Sequence, residues 1–279
     1  MPNSLGLYAD GCAMTEPADI LMTMKRAENA RIRGPVIAMV GLALGAIAVL
    51  MLLVAPFGYR YGLLPQGVAL QAMPAWASYI GIAAVAVGLL GAGTAFRLNR
   101  GWALAALAGA LVGVGAFAAP NVYYASLGSP PSINDITTDT ENPPPFVALL
   151  ALREAAHAPD SAIYGGPQVA LQQKKAYPDI VPLELAMPVD KAFALALEQA
   201  RKSGWTVVAS DAAQGRIEAT DRTSWYGFTD DVVLRIQSDG TGSRLDIRSH
   251  SRIGHGDRGK NAERIRAFLA AVRGAAGRT

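Results

Sequence analysis

Three stretches of this chain, Val36 to Phe57, Ala75 to Phe96 and Trp102 to Ala119, contain no Asp, Glu, Lys, Arg or His at all. Each is 18 to 22 residues long, the length a helix needs to cross a hydrocarbon core of ~30 Å. A backbone in lipid must satisfy its own hydrogen bonds, so the expectation is three spanning helices over residues 35–119. Ionisable residues inside a span commonly mark ion pathways, and none is present, which argues against a channel or transporter built by this chain alone.

Orientation follows from the flanking cations. Lys25, Arg26, Arg31 and Arg33 precede the first stretch, Arg97 and Arg100 lie between the second and third, and only Arg60 falls in the first connecting loop. Six against one places the N-terminal tail, residues 1–34, in the cytoplasm. Three crossings then put everything after Pro120 outside, a multi-pass arrangement in the cytoplasmic (inner) membrane with a periplasmic C-terminal domain. The stretch Ala9 to Cys12 has the look of a lipoprotein cleavage site, but no apolar run precedes it, so a retained first helix without lipidation is expected. Small residues recur every fourth position at Gly41 and Gly45, at Ala84, Gly88 and Ala92, and at Ala105, Gly109 and Gly113. Such spacing lets helix backbones approach closely, either among these three helices or in a homo-oligomer.

From Asn121 onward the chain holds 18 basic and 18 acidic residues, so the net charge of +3 resides wholly in the first 120 residues. It reports membrane topology and gives no support to nucleic-acid binding. Cys12 is the only cysteine, so no intrachain disulfide can form. Residues 120–181 are rich in Pro, Gly, Asp and Thr and read as a connector with at most one helix, near Phe146 to Ala156; at this length it is either partly mobile or wrapped over the domain.

Residues 182–279 show alternating and helical periodicities in the order β-α-β-β-β-β-α, an α+β domain whose antiparallel sheet carries helices on one face. The run Ser238-Asp239-Gly240-Thr241-Gly242-Ser243 suits a two-residue turn with Gly240 first. That turn pairs Leu234 with Ile247 and Ile236 with Leu245 on the core face. It also sets Arg235 against Asp246, Val233 against Arg248 and Asp231 against His250 on a second face, where such charge pairs fit a solvated surface as easily as a binding surface.

The run Trp225 to Ile236, the run Arg248 to Gly254, Asp257, Gly259, Asn261 and Arg264 to Leu269, preceded by Asp135-Ile136-Thr137-Thr138-Asp139 and Pro143-Pro144, resemble the domain of unknown function 1499 family over roughly Pro130 to Arg273. The resemblance implies a fold and a secreted, lumenal or membrane-anchored placement; the family carries no established activity.

Gly254 to Asn261 imitates the spacing of a phosphate-binding loop, but Asn261 stands where a magnesium-binding hydroxyl is required, so a turn in which Asp257 or Asn261 caps the last helix is the expectation. Anion capture at that helix start, aided by Arg252 and Lys260, is the sharper alternative. His250, His255 and Asp257 match no familiar metal spacing, and solvated or capping histidines are expected. No cofactor is expected either. Ser249 and Ser251 flank His250 on the opposite side of a strand and form no triad. Trp225, Tyr226 and Phe228 are read as core or edge packing residues, with the rim of a pocket as the alternative. The candidate ligand-binding set is Asp230, Asp231, Arg235, Arg248, Arg252, Asp257, Asn261 and Arg264, taken either as a structural ion-pair network or as a pocket for a partner protein or an anionic small molecule. Two other readings are an envelope hydrolase using Asp230 and Asp231 as acid and base, and a structural subunit of a membrane complex.

Overall fold

A computed structural model of the chain describes residues 17–96, 99–126, 128, 130–254 and 256–277. Cys12, Arg97 and His255 lie outside the described residues. Two compact units result, Met1–Ala55 with Gln66–Val122, and Pro56–Pro65 with Tyr123–Thr279.

The first unit is built on α1 (Pro17–Arg60), α2 (Met73–Ala95) and α3 (Arg100–Ser126), with one π-helical segment, Val68–Ala72, leading into α2. Ile32–Arg60, Val68–Ala95 and Arg100–Tyr123 are long and apolar enough to cross a membrane, which makes this a membrane protein with three candidate spans. Two boundaries differ from the sequence expectation. Helix α1 already begins at Pro17, inside the expected tail, and α3 continues through Pro120 to Ser126. A proline removes a single N–H from the ladder, and the hydrogen bonds on either side carry the helix past it.

The small residues are used within the unit. A Cβ placed on Gly88 would lie 2.6 Å from the Ala106 carbonyl oxygen, one on Gly109 would lie 2.7 Å from the Leu42 nitrogen, and one on Gly41 would lie 3.1 Å from the Gly88 nitrogen. All three helix pairs therefore meet backbone to backbone, the arrangement by which helices associate where lipid gives no hydrophobic drive.

The second unit is a six-stranded antiparallel sheet with strand order β1-β6-β5-β4-β3, and β2 also pairs with β6. Its strands are β1 (Asp135–Thr137), β2 (Leu183–Leu185), β3 (Thr206–Asp211), β4 (Arg216–Arg222), β5 (Thr229–Asp239) and β6 (Gly242–Ser251). Helices α4 (Ala148–Ala155) and α5 (Gly166–Ala176) precede β2, α6 (Val189–Lys202) follows it, and α7 (Lys260–Ala276) closes the chain. The β5–β6 register is the expected one, with Leu234 on Ile247, Arg235 on Asp246 and Asp231 on His250, and Gly240 has the positive φ of +61° that its turn position demands. On the core face Ile217, Val232, Leu234, Ile236, Leu245 and Ile247 pack under Phe193 and Ala196 of α6 and Ile265, Phe268 and Val272 of α7. Trp205 stacks on Phe268 with ring centroids 4.8 Å apart.

The opposite face, whose charge pairs fitted a solvated surface as easily as a binding surface, is buried under other parts of the domain. The segment expected to be a connector crosses it, contributing β1, α4 and α5, so it holds two helices where at most one was expected. Helix α5 opens on Gly165-Gly166-Pro167, which reads as a break in the sequence, yet proline in the first turn is compatible with a helix start. Fully buried Glu218 accepts hydrogen bonds from the N–H groups of Val147, Ala148 and Leu149, so a carboxylate meets the otherwise unpaired donors at the start of α4. Phe146 and Leu149 cover Val233 on the same face.

Replacing Gly109 by Val should break the approach of α3 to α1 and lower the thermal stability of the detergent-solubilised chain. Gly115→Val serves as the control, since nothing lies within 4 Å of an added Cβ there. Equal melting of both variants would contradict the packing.

Candidate functional site

Every candidate residue of the polar sheet face meets an opposite charge inside the fold. Asp231 is fully buried and receives the Arg153 guanidinium at 2.8 Å and a bidentate contact from Arg252 at 2.8 to 3.1 Å. Arg153 comes from α4 and Arg252 from just beyond β6, so two distant segments converge on one carboxylate. Beside them Arg248 binds Asp135 through Nε at 2.8 Å and Nη2 at 2.7 Å, the planar fork geometry that guanidinium and carboxylate share. Arg248 also donates to the carbonyls of Pro144 and Ala162. Its guanidinium carbon sits 4.6 Å from the centre of the Phe146 ring, within cation–π range. Pro143, Pro144 and Pro145 suit this cover: proline offers a carbonyl acceptor and no backbone donor that would need a partner.

Further along the same face Arg235 and Arg244 share Asp139 and Asp246, with Nη2 to Oδ distances of 2.9 to 3.0 Å. Arg235 also reaches the Asn142 carbonyl at 2.9 Å.

On the helix side of the sheet Arg264 bridges Asp221 and Asp230 and donates to Ser249 Oγ and Asn261 Oδ1. Asn261 in turn donates to the Asn134 carbonyl and to Ser251 Oγ. Asp257 accepts the N–H groups of Gly259 and Asn261, and burial holds its carboxyl above the ordinary range despite those bonds. The loop that imitates a phosphate-binding sequence is thus closed on its own carboxylate. Arg252 is held by Asp231, and the Lys260 ammonium lies 2.7 Å from Glu263, so anion capture at this helix start is not what the geometry supports.

Asp230 and Asp231 point to opposite faces, one held by Arg264 and the other by Arg153 and Arg252. They share no cavity, and the acid–base pair suggested by their adjacency is not formed. Trp225 is exposed, while Tyr226 and Phe228 stack with centroids 5.5 Å apart. Among the described residues no group of three or more His, Cys, Asp or Glu is placed to hold a metal ion.

A pocket of about 310 Å³ opens beside the start of β1, lined among others by Asn134, Asp135, Asp160, Ser161, Ile163 and His250. None of the eight residues selected from the sequence lines it. His250 was expected to be solvated or capping; its side chain is 4% exposed and its Nδ1 has no hydrogen-bond partner, the nearest carboxylate oxygen being Asp135 Oδ2 at 3.8 Å. The ring stacks on Phe146 at a centroid distance of 6.4 Å. Asp160 accepts a hydrogen bond from the Asn134 amide at 2.7 Å. In the sequence, Asp160 and Asn134 carry no signal beyond being polar residues in a loop; Asp135 stands out only as part of the family's entry motif.

A buried, internally neutralised sheet face with a polar pocket at its edge, on a chain with three candidate membrane helices, defines a membrane-anchored α+β domain protein. Residues 135–272 match the model of the family described as "Protein of unknown function (DUF1499)", and the C-terminal domain is a member of that family. No curated protein matches the chain.

Two outcomes test this geometry. Arg248→Ala strands the buried Asp135 carboxylate and should destabilise the domain by about 3–5 kcal/mol, read as faster hydrogen exchange of the β5 and β6 amides; Lys174→Ala, in an exposed pair with Glu141, should leave that exchange unchanged. The second concerns pH. Burial holds the His250 imidazole below its ordinary pKa of 6.5, with Arg153 and Arg248 acting in the same direction and Asp135 and Asp160 opposing. Folding therefore favours the neutral ring. That contribution is complete above the unfolded value and is withdrawn as the pH falls from 6.5 toward the folded pKa. Unfolding followed between pH ~7.5 and ~5.5 should show stability falling with acidification, and His250→Phe should flatten the slope.

Proposed function

We propose that this protein is a membrane-held binding module that displays its DUF1499 domain on the outer side of the cytoplasmic membrane and there binds a partner protein or a small molecule. The cation count around the spans supports the orientation: Lys25, Arg26, Arg31, Arg33, Arg97 and Arg100 on one side against Arg60 on the other. The observation that carries the binding role is the contrast within the domain. Its strongly charged residues form ion pairs with one another, while His250, which lines the pocket beside β1, has no ion pair within hydrogen-bond distance and keeps a buried Nδ1 without a partner, as Arg153 Nε and Arg235 Nε also do inside the ion-paired face. Arg235, Arg248, Arg252 and Arg264 are each engaged by carboxylates, so a ligand held by these arginines would first have to displace an internal partner. Their role in this reading is to seat the segment that forms the pocket.

Fusing alkaline phosphatase or a fluorescent protein after Thr279 tests the placement. Phosphatase activity with a dark fluorescent fusion is the expected result; fluorescence with inactive phosphatase would overturn the orientation. Native mass spectrometry of the full chain released from mild detergent tests the binding role. A retained adduct, protein or small molecule, that is lost on Ile163→Arg at the pocket mouth is expected. An adduct-free chain, or an adduct indifferent to that change, would remove the binding role.

A further inference from the structure

We propose that the pocket beside β1 takes a small, neutral, hydroxylated ligand, a sugar or the terminal unit of a longer glycan, bound as a donor of hydrogen bonds to Asp160 and His250. This rests on the binding-module reading and goes further by naming the chemistry that fits. The lining is rich in acceptors. The Asp160 carboxylate receives the Asn134 amide, and no salt bridge reaches it among the described residues. The His250 Nδ1 is buried and unpartnered, although the ring lines the pocket. Leaving such an atom dry and unpaired is unfavourable, so a site of this kind is completed by a group that supplies the missing bond.

Charge then sorts the candidates. Asp135 is neutralised by Arg248, and among the described residues no salt bridge reaches the Asp160 carboxylate, although Arg153 Nη2 donates to the Asp160 backbone carbonyl, so this carboxylate favours a neutral donor over an anion. The remaining lining mixes Ser132, Asn134 and Ser161 with Pro159, Val169, buried Ile133 and Ile163, the last with 82% of its surface exposed. Polar groups interleaved with apolar side chains suit a ring that is hydroxylated at its edges and carries C–H groups on its faces. The volume of about 310 Å³ lies at the lower end of the ~300–1,000 Å³ typical of ligand pockets, which favours a single sugar unit.

The test is a titration of the full detergent-solubilised chain, ¹⁵N-labelled at histidine, with glucose, maltotriose and glucose 6-phosphate, the His250 ring signals being assigned by their loss in His250→Phe. Saturable shifts of those signals with glucose or maltotriose, and a markedly weaker response to glucose 6-phosphate, are expected. A response to both sugars points to a free monosaccharide or a glycan end alike, and one confined to maltotriose points to the glycan. Asp160→Asn should weaken the affinity at least about tenfold, and Ile163→Arg, changed at an exposed position that leaves the core intact, should abolish the response. The inference fails if neither sugar produces a saturable shift, if the phosphate binds as well as glucose, or if both variants respond like the parent. A mass-spectrometric adduct that is lost on Ile163→Arg but is not a sugar, together with silent sugar titrations, would overturn this inference alone and leave the binding module standing.

Discussion

Asp231 is the constraint on which the domain turns. A carboxylate with no access to water is strongly unfavourable unless cations and donors surround it. Strand β5 cannot supply them, because its neighbours on the same face are Val233 and Arg235, the latter engaged elsewhere. Arg153, almost eighty residues upstream, and Arg252, just past the end of β6, close the requirement together. Asp135 and Arg248 repeat the device one strand over. The consequence is positional. Each pairing fixes one point of the segment that crosses the sheet, and the buried Glu218 fixes the start of α4 through three N–H groups.

That arrangement decides where chemistry can take place. Guanidinium and carboxylate groups that look reactive along the chain are ion-paired with one another and become part of the scaffold. The pocket lies at the edge of the crossing segment, between the loop around Asp160 and His250 near the end of β6. His250 belongs to both regions: its ring is packed against Phe146 as a structural element and also lines the pocket, with its Nδ1 buried and unpaired. An imidazole in that position is held neutral by its surroundings, which ties the stability of the wrapped face to the same group that would meet a ligand.

The membrane unit rests on a different balance. Its spans carry no charge to pair, and their cohesion comes from glycine and alanine, which bring the backbones of α1, α2 and α3 together at Gly41, Gly88 and Gly109. Close packing takes the place that ion pairs hold in the domain, as befits helices surrounded by lipid.

The sequence by itself determined the elements whose signals are local. Uninterrupted apolar runs mark the three candidate spans, the turn at Gly240 sets the β5–β6 register, and helical periodicity identifies the buried sides of α6 and α7. The residues of the family pattern were legible as well, and they correspond to the matched domain. Only the tertiary structure decided that the second sheet face is buried, that Asp230 and Asp231 serve opposite faces, that His250 is dry, and that the pocket lies beside Asp160. The physical reason is one of range. Alternation along a strand records that two faces differ, but a strand whose polar face is covered by ion-paired arginines reads the same as one facing water. The covering segment is about a hundred residues away in the chain, rich in proline and without a strong period, so nothing near β5 or β6 announces it.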